Sequence, residues 1–203
     1  DASPAKLSEY ARLGAGSACR AVTGGVSEWV VEGERSYSRP LWNPGDGGAL
    51  EDWRIVVPLV QHEEPTENVH QEVLTSPLFQ GRLDYLPAAL DAARAAVREG
   101  DLEALAAVAE RDTLNLHAVT MTSESSHLTW QPATVAVMRA VWELRDAGTP
   151  VHFSMDTGAT AYLNTHKDHE EEVAAAVADL PGIADVLRLH PAGPTRLVDD
   201  HLF

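Results

Sequence analysis

The chain has 203 residues, 44% of them hydrophobic, which is enough to bury a substantial core and excludes a disordered or low-complexity protein. Its formal net charge of -16, with the basic residues spread along the chain, argues against nucleic-acid binding. No stretch reaches the roughly 20 apolar residues that span a bilayer, and the single cysteine, Cys19, excludes an intrachain disulfide. We therefore expect one soluble, cytoplasmic domain over residues 1–203, with no membrane partner.

The acidic charge is combined with a scarcity of lysine. The chain has 31 Asp and Glu against 15 Lys and Arg, and only Lys6 and Lys167 are lysines. This composition favours a surface adapted to high salt, and the alternative is an ordinary acidic protein. The first interpretation predicts that activity and thermal stability rise with molar potassium chloride.

The N-terminal part of the chain is predicted to alternate helix, loop and strand. Apolar residues at near-helical spacing predict a first helix, which stops at the glycines of residues 14–16. Small residues predict a second, short helix that Gly24 and Gly25 break. The following strands include one rich in β-branched residues, and Pro58 suggests its end. The predicted helices cover residues 4–13 and 17–23, and the strands cover residues 26–32 and 53–60.

From Pro77 the sequence changes to long, alanine-rich helical periodicity. Gly100 closes the first of these helices, and Asp101 is a good N-cap for the second. The predicted helices cover residues 77–99, 102–112 continuing towards 117, 132–147 and 168–180, and the strands cover 151–155, 161–164 and 184–190. These elements predict an α+β architecture in which helices pack on one face of a mostly antiparallel sheet.

The loop and helix start at residues 14–20 form a first candidate site. Glycines allow backbone amides to converge, and a helix start favours an anion. Arg20 lies one turn inside this helix, where its guanidinium could hold a carboxylate or phosphate through paired hydrogen bonds. Ser17 could add a hydroxyl donor. Small residues at such a turn also commonly serve close packing alone, so both interpretations stay open.

Asp156 defines a second candidate site, at a strand-to-turn junction within the sequence SMDTGAT. It could simply cap its own turn. Alternatively, a carboxylate partly buried beside Phe153 and Met155 could have a raised pKa suited to proton abstraction, or could be held ionised by an arginine. The local sequence favours the capping interpretation.

The histidines do not predict a metal centre. His166 and His169 lack a third ligand and the spacing of known motifs, so a solvated turn is the favoured interpretation. His117 lies on an apolar helix and is predicted to be a hydrogen-bonded core histidine, with an indirect role near the site as the alternative.

The motifs together resemble the diphosphomevalonate decarboxylases of the GHMP kinase superfamily. The similar segments follow the family's order over nearly the whole chain: LGAGSACR at residues 13–20 with the GG turn at 24–25, VLTSPL at 73–78, NLHAV at 115–119 and MDTGATA at 155–161. The resemblance implies a C-terminal domain of the GHMP-kinase type.

The resemblance also implies roles for the candidate residues. Asp156 would be the base that helps the tertiary hydroxyl of a phosphorylated mevalonate accept the γ-phosphoryl group of ATP, and Arg20 would anchor the substrate carboxylate. Ser17 and Gly16 would contribute to substrate binding. The implied reaction is an ATP- and Mg²⁺-dependent decarboxylation in the mevalonate pathway of isoprenoid biosynthesis.

The chain departs from the family pattern in three places. Ala15 stands where the family has a serine, which removes a hydroxyl from the phosphate-binding region and tilts the expected substrate towards mevalonate 5-phosphate over the diphosphate. Residues 157–160 differ from the family's turn. The family's nucleotide loop lies upstream of the first motif, so the resemblance implies an N-terminal portion, absent from this chain, that activity needs. A homodimer is expected from the resemblance only.

Two other functions stay open. A related mevalonate kinase would phosphorylate the 3-hydroxyl without decarboxylation. A non-catalytic binding or dimerisation module would keep the fold alone.

Overall fold

The computed structural model describes residues 2–61 and 73–198, and these group into two compact units. The first unit comprises the described residues up to Glu51 together with those from Pro191 to Val198. The second comprises the described residues between Asp52 and His190. The expectation of a single domain over the whole chain stays a prediction.

The described residues of the first unit form a hairpin and two short helices. Its elements are helices α1 (Pro4–Ala11) and α2 (Ala18–Thr23) and strands β1 (Val26–Glu32) and β2 (Arg35–Trp42). The two strands pair antiparallel through a turn at Gly33, which has φ +62°. Both helices and β1 lie where the sequence predicted them.

Strand β2 was not predicted, since its sequence RSYSRPLW lacks the apolar alternation of a half-buried strand. Instead, buried serine and threonine side chains form hydrogen bonds beside it. Ser8 is fully buried, and its Oγ accepts a hydrogen bond from Ser38 N at 3.0 Å. Ser38 Oγ in turn lies 2.7 Å from Thr23 Oγ1. A polar interior of this kind leaves no hydrophobic periodicity to detect.

The described residues of the second unit form a four-stranded sheet with four helices. Its strands are β3 (Trp53–Val60), β4 (Val151–Ser154), β5 (Tyr162–His166) and β6 (Ile183–Leu189), and its helices are α3 (Phe79–Glu99), α4 (Leu102–Met121), α5 (Pro132–Asp146) and α6 (Glu170–Ala178). Short 3-10 turns at Ala49–Asp52, Val73–Thr75 and Lys167–His169 precede β3, α3 and α6.

The sheet has the strand order β4-β5-β3-β6, and every neighbouring pair is antiparallel. Buried Val56, Phe153 and Leu163 of the sheet pack against apolar side chains of α5 and α6. The helix residues in this core are Val137, Met138, Val141, Val173, Ala174 and Val177. The predicted α+β architecture, with helices packed on an antiparallel sheet, is confirmed.

Strand β3 covers the predicted residues, but Pro58 does not end it: the strand continues to Val60, and its register with β6 shifts between Pro58 and Val60. Such an irregularity is where a strand tolerates a residue without an N–H. Helix α4 runs to Met121, beyond the predicted range. None of the helices in the described ranges is long and apolar enough to cross a membrane.

Candidate active site

The first predicted site lies at the start of α2. Ser17 is the N-cap residue, but its side chain makes no capping hydrogen bond. The amides of residues 18 and 19 donate to carbonyl groups three residues earlier, at 3.1 and 3.3 Å, so they are used within the turn. These two amides therefore do not converge on an anion. The groups of the predicted anion site that remain exposed are the side chains of Ser17 and Arg20.

Close packing accounts for two of the glycines near this site. A Cβ at Gly16 would lie 3.2 Å from Trp29 Cζ3. At Gly24, which has φ +68°, a Cβ would lie 2.3 Å from the backbone of Gly193. The packing interpretation therefore holds for Gly16 and Gly24, whatever ligand the neighbouring side chains bind.

Asp156 lies in the turn after β4 and is exposed, whereas Phe153 and Met155 are buried. Its Oδ1 accepts a hydrogen bond from the next residue, Thr157 N, at 3.0 Å, and the capping of the turn by this side chain stays a prediction. The alternative of a carboxylate partly buried beside Phe153 and Met155 is wrong, because the strand ends at Ser154 and the turn carries Asp156 out of the apolar layer. An exposed carboxylate here is accessible to a ligand.

Three side chains of α4 contact the main chain of β4 and of the turn after it. The contacts are Glu110 Oε2 with Phe153 N at 3.2 Å, Thr113 Oγ1 with Met155 N at 2.9 Å, and His117 Nε2 with the carbonyl oxygen of Asp156 at 2.9 Å. Strand β4 is at the edge of the sheet, so the helix supplies hydrogen bonds that another strand would otherwise provide. We call Glu110, Thr113 and His117 the α4 ladder.

No role was predicted for Glu110 or Thr113 from the sequence, although a signal was present. Their spacing of three and four residues up to His117 puts all three side chains on one face of the helix. Polar side chains on a buried helix face need hydrogen-bond partners. The pattern therefore indicates a polar contact across this face, but not which main-chain atoms it reaches.

His117 is buried, with 2% of its surface exposed, which confirms the predicted core histidine. Trp130 Nε1 donates a hydrogen bond to its Nδ1 at 3.0 Å. Since Nδ1 accepts, the ring is neutral and its proton is on Nε2, which donates to the carbonyl of Asp156. Burial lowers the pKa of His117, in opposition to its contacts with Asp156, which agrees with a neutral ring.

Glu110 carries a buried charge at the other end of the ladder. Arg145 donates to its two carboxylate oxygens at 2.9 and 3.0 Å. His152 Nδ1 lies 3.2 Å from Glu110 Oε2 and 2.7 Å from Arg145 Nη1. Burial would raise the pKa of Glu110, but the contacts with His152 and Arg145 and the N–H of Phe153 lower it from 4.5 to about 2.

The predicted solvated histidines pair separately with acidic side chains. His166 Nε2 lies 3.4 Å from Asp52 Oδ2, and His169 Nδ1 lies 3.5 Å from Glu172 Oε2. Within residues 2–61 and 73–198, no group of three or more His, Cys, Asp and Glu side chains is arranged to hold a metal ion.

The predicted site residues fall into two groups. Gly16, Ser17 and Arg20 lie in one segment of the first unit, whereas Asp156 belongs to the second unit. Within the second unit, the structure brings Asp156 together with His117 of the α4 ladder.

Residues 56–190 match the family described as the mevalonate 5-diphosphate decarboxylase C-terminal domain. The match covers more than half of the chain, and the chain belongs to this family. The matched range contains Asp156 and the α4 ladder, but not Gly16, Ser17 or Arg20. The resemblance found in the sequence is thereby confirmed.

Individual proteins with similar sequences or folds are also named as decarboxylases of this kind. The phosphomevalonate decarboxylase of Haloferax volcanii is 38% identical over 196 residues, which cover 96% of this chain and 59% of that protein. The solved mevalonate diphosphate decarboxylase of Staphylococcus aureus is 27% identical, with a TM-score of 0.86, over 95% of this chain and 59% of its own. A solved complex of MDDEF with MVAPP, AMPPCP and magnesium has a TM-score of 0.85 at 22% identity, over 96% of this chain and 60% of its own, and shows the fold alone.

Proposed function

We propose that this chain is the C-terminal part of an enzyme that decarboxylates a phosphorylated mevalonate in an ATP- and Mg²⁺-dependent reaction of the mevalonate pathway. The observation that carries the proposal is the family match over residues 56–190, which includes the exposed Asp156 at the end of β4. Relatives named as decarboxylases support the same activity.

Asp156 is the proposed base. Its exposed carboxylate can accept the proton of the substrate's tertiary hydroxyl as that oxygen attacks the γ-phosphoryl group of ATP and ADP departs. The phosphate formed on the substrate is a good leaving group. When it departs, the electrons of the bond to the substrate carboxylate form the alkene, and carbon dioxide is released.

Arg20 is the proposed anchor of the substrate carboxylate, with Ser17 and Gly16 beside it in substrate binding. A guanidinium can hold a carboxylate through two parallel hydrogen bonds, which fixes its orientation as well as its position. The side chains of Arg20 and Ser17 are exposed. Their contribution would be placement and charge stabilisation, without a covalent step.

Mevalonate 5-phosphate is the proposed substrate, ahead of the diphosphate. Ala15 gives the glycine loop one hydroxyl fewer than a serine would, and fewer donors suit fewer phosphate groups. The relative from Haloferax volcanii, at 38% identity, is named a phosphomevalonate decarboxylase.

An N-terminal portion outside this chain is proposed to complete the site for ATP and Mg²⁺. The chain spans 59% of the Haloferax relative, which leaves room for such a portion. The complex of MDDEF with AMPPCP and magnesium supports the choice of nucleotide and cation. A homodimer, a cytoplasmic location and the absence of nucleic-acid binding stay predictions.

The test uses the full-length protein with ATP, Mg²⁺ and either mevalonate 5-phosphate or the 5-diphosphate, and measures carbon dioxide and ADP. Asp156→Asn is expected to lower kcat by about 10²- to 10⁴-fold, the usual contribution of a general base. The matched control is Asp185→Asn. Asp185 is also exposed, and its Oδ1 likewise accepts from the next amide, Val186 N, at 2.8 Å, but it lies in β6.

Each outcome assigns a different function. Carbon dioxide release that depends on Asp156 supports the decarboxylase. The substrate that reacts with the higher kcat/KM shows whether the enzyme acts on the monophosphate or the diphosphate. ADP without carbon dioxide identifies the kinase alternative, and neither product from either substrate leaves the binding module.

In the same assay Arg20→Lys is expected to raise the KM about tenfold, because lysine cannot form the paired hydrogen bonds, with the exposed Arg12→Lys as control.

A further inference from the structure

The three contacts of the α4 ladder hold different parts of the chain. Glu110 and Thr113 accept from amides, at Phe153 in β4 and at Met155 just after it, so they extend the hydrogen bonding of an edge strand. His117 instead donates to the carbonyl of Asp156, beyond the end of the strand. Its partner is therefore the backbone of the proposed base itself.

Trp130 fixes the donor role of His117. An indole N–H can only donate, so the 3.0 Å contact requires Nδ1 of His117 to accept and leaves the proton on Nε2. A protonated ring would point a second N–H at Trp130, and the other neutral tautomer would point a lone pair at the carbonyl of Asp156. Both arrangements are costly in a buried site. The hydrogen bonds from Trp130 to His117 to Asp156 thus run in one direction.

We propose that His117 and Trp130 are positioning residues, which hold the main chain at Asp156 so that its carboxylate faces the substrate proton. This inference rests on the proposed function of Asp156. The carboxylate is exposed and its Oδ1 is held by Thr157 N, so the backbone orientation at residue 156 directs the side chain. A misplacement of about 1 Å can cost about 100-fold in rate, which makes such a support consequential.

Two substitutions at residue 117 separate positioning from packing. The amide nitrogen of glutamine reaches the place of Nε2, whereas the amide oxygen of asparagine takes the place of Nδ1. His117→Gln therefore keeps the donor to Asp156, and His117→Asn keeps the acceptor for Trp130 but loses that donor. Both remove the ring, so both weaken the packing of the core.

In the full-length protein, His117→Asn is expected to lower kcat with mevalonate 5-phosphate by about ten- to a hundredfold. Its KM should change less than about twofold, and His117→Gln should retain most of the activity. If both variants lose the same activity, or if the loss follows their unfolding temperatures, His117 has only a structural role and the proposal is overturned.

A second measurement does not depend on catalysis. The ¹⁵N chemical shifts of the histidine rings in the full-length protein are expected to show His117 as the neutral Nε2–H tautomer at neutral pH, and Trp130→Phe should abolish that preference. An Nδ1–H tautomer or a charged ring in the unaltered protein would overturn the hydrogen-bond chain. An unaltered protein that shows the expected tautomer but no activity instead contradicts the proposed function, so the two failures are distinguishable.

Discussion

Glu110 and Arg145 join α4 to α5 through a charge pair inside the second unit. The Glu110 side chain is 10% exposed and the Arg145 side chain 32% exposed, in contrast to the pair of Arg188 with Glu171, where the exposed fractions are 49% and 80%. Exposed pairs typically contribute about 0–1 kcal/mol. Removing one partner of a buried pair costs more, because the other charge stays desolvated.

Glu110→Gln is expected to destabilise the protein in a pH-dependent way. Because the pKa of Glu110 falls from 4.5 to about 2 on folding, the ionised carboxylate stabilises the fold above pH 4.5, and this stabilisation is lost as the pH falls towards about 2. The free energy of unfolding should drop by about 3 kcal/mol at pH 7 and by about 1 kcal/mol at pH 3. Urea unfolding of the full-length protein at both pH values measures the difference.

The control for this prediction is Glu143→Gln, which makes the same change at an exposed position of α5. It should alter the free energy of unfolding by less than about 0.5 kcal/mol. An equal loss for Glu110→Gln at pH 7 and pH 3 would show that shape, and not charge, makes the residue important.

The candidate residues could be found from the sequence, but their environments could not. Asp156 and Arg20 stand out because they lie in motifs that a known family shares. The exposure of Asp156 depends on where β4 ends, a matter of two residues that local pattern does not resolve. The contact between His117 and Asp156 joins residues 39 positions apart, and no local periodicity encodes such a pairing.

Helix α3 has one glycine at its C-cap and another within its first turn, and the backbone conformations of the two glycines differ. Gly100 ends the helix in the left-handed conformation, with φ +68°, and its amide donates to the carbonyls of Ala96 and Val97. Gly81 lies within the helix, where an added Cβ would meet nothing within 4 Å. One glycine is therefore required by the backbone, and the other only increases the freedom of the unfolded chain.

Substituting alanine at the two glycines is expected to give effects of opposite sign. Gly100→Ala should lower the free energy of unfolding by about 1 kcal/mol, since alanine is strained in the left-handed conformation. Gly81→Ala should raise it by about 0.5–1 kcal/mol through helix propensity. Thermal unfolding of the two variants of the full-length protein measures both. Shifts of the same sign would mean that Gly100 does not set the end of α3.

The elements that the sequence predicted best have strong periodicity and clear ends. Helix α3 closes at the expected Gly100, and Asp101 caps α4 by accepting from Ala104 N at 2.9 Å. Strand β2 was missed because its stability comes from pairing with β1 and from hydroxyl contacts rather than from an apolar face. Elements held by tertiary polar contacts are the ones that periodicity cannot reveal.

The charge of the chain acts at the scale of the whole molecule. A net charge of -16 makes carboxylates repel one another across the surface, and this repulsion weakens the folded state more than the extended chain. Salt screens it, since the screening length falls from about 10 Å at 0.1 M to about 3 Å at 1 M.

Raising potassium chloride from 0.1 M to 2 M is therefore expected to increase the unfolding temperature of the full-length protein by at least about 4 °C, which for a protein of this size corresponds to more than about 1 kcal/mol. Neutralising three exposed carboxylates, in the variant Glu143→Gln, Asp146→Asn and Asp179→Asn, should raise the unfolding temperature in dilute buffer and reduce the further gain from salt. Charge screening predicts both effects, because salt and the three substitutions reduce the same repulsion between carboxylates.

A variant that gains as much from salt as the unaltered protein would mean that salt acts through stronger apolar burial instead. An unaltered protein equally stable at both salt concentrations would make the composition that of an ordinary acidic protein.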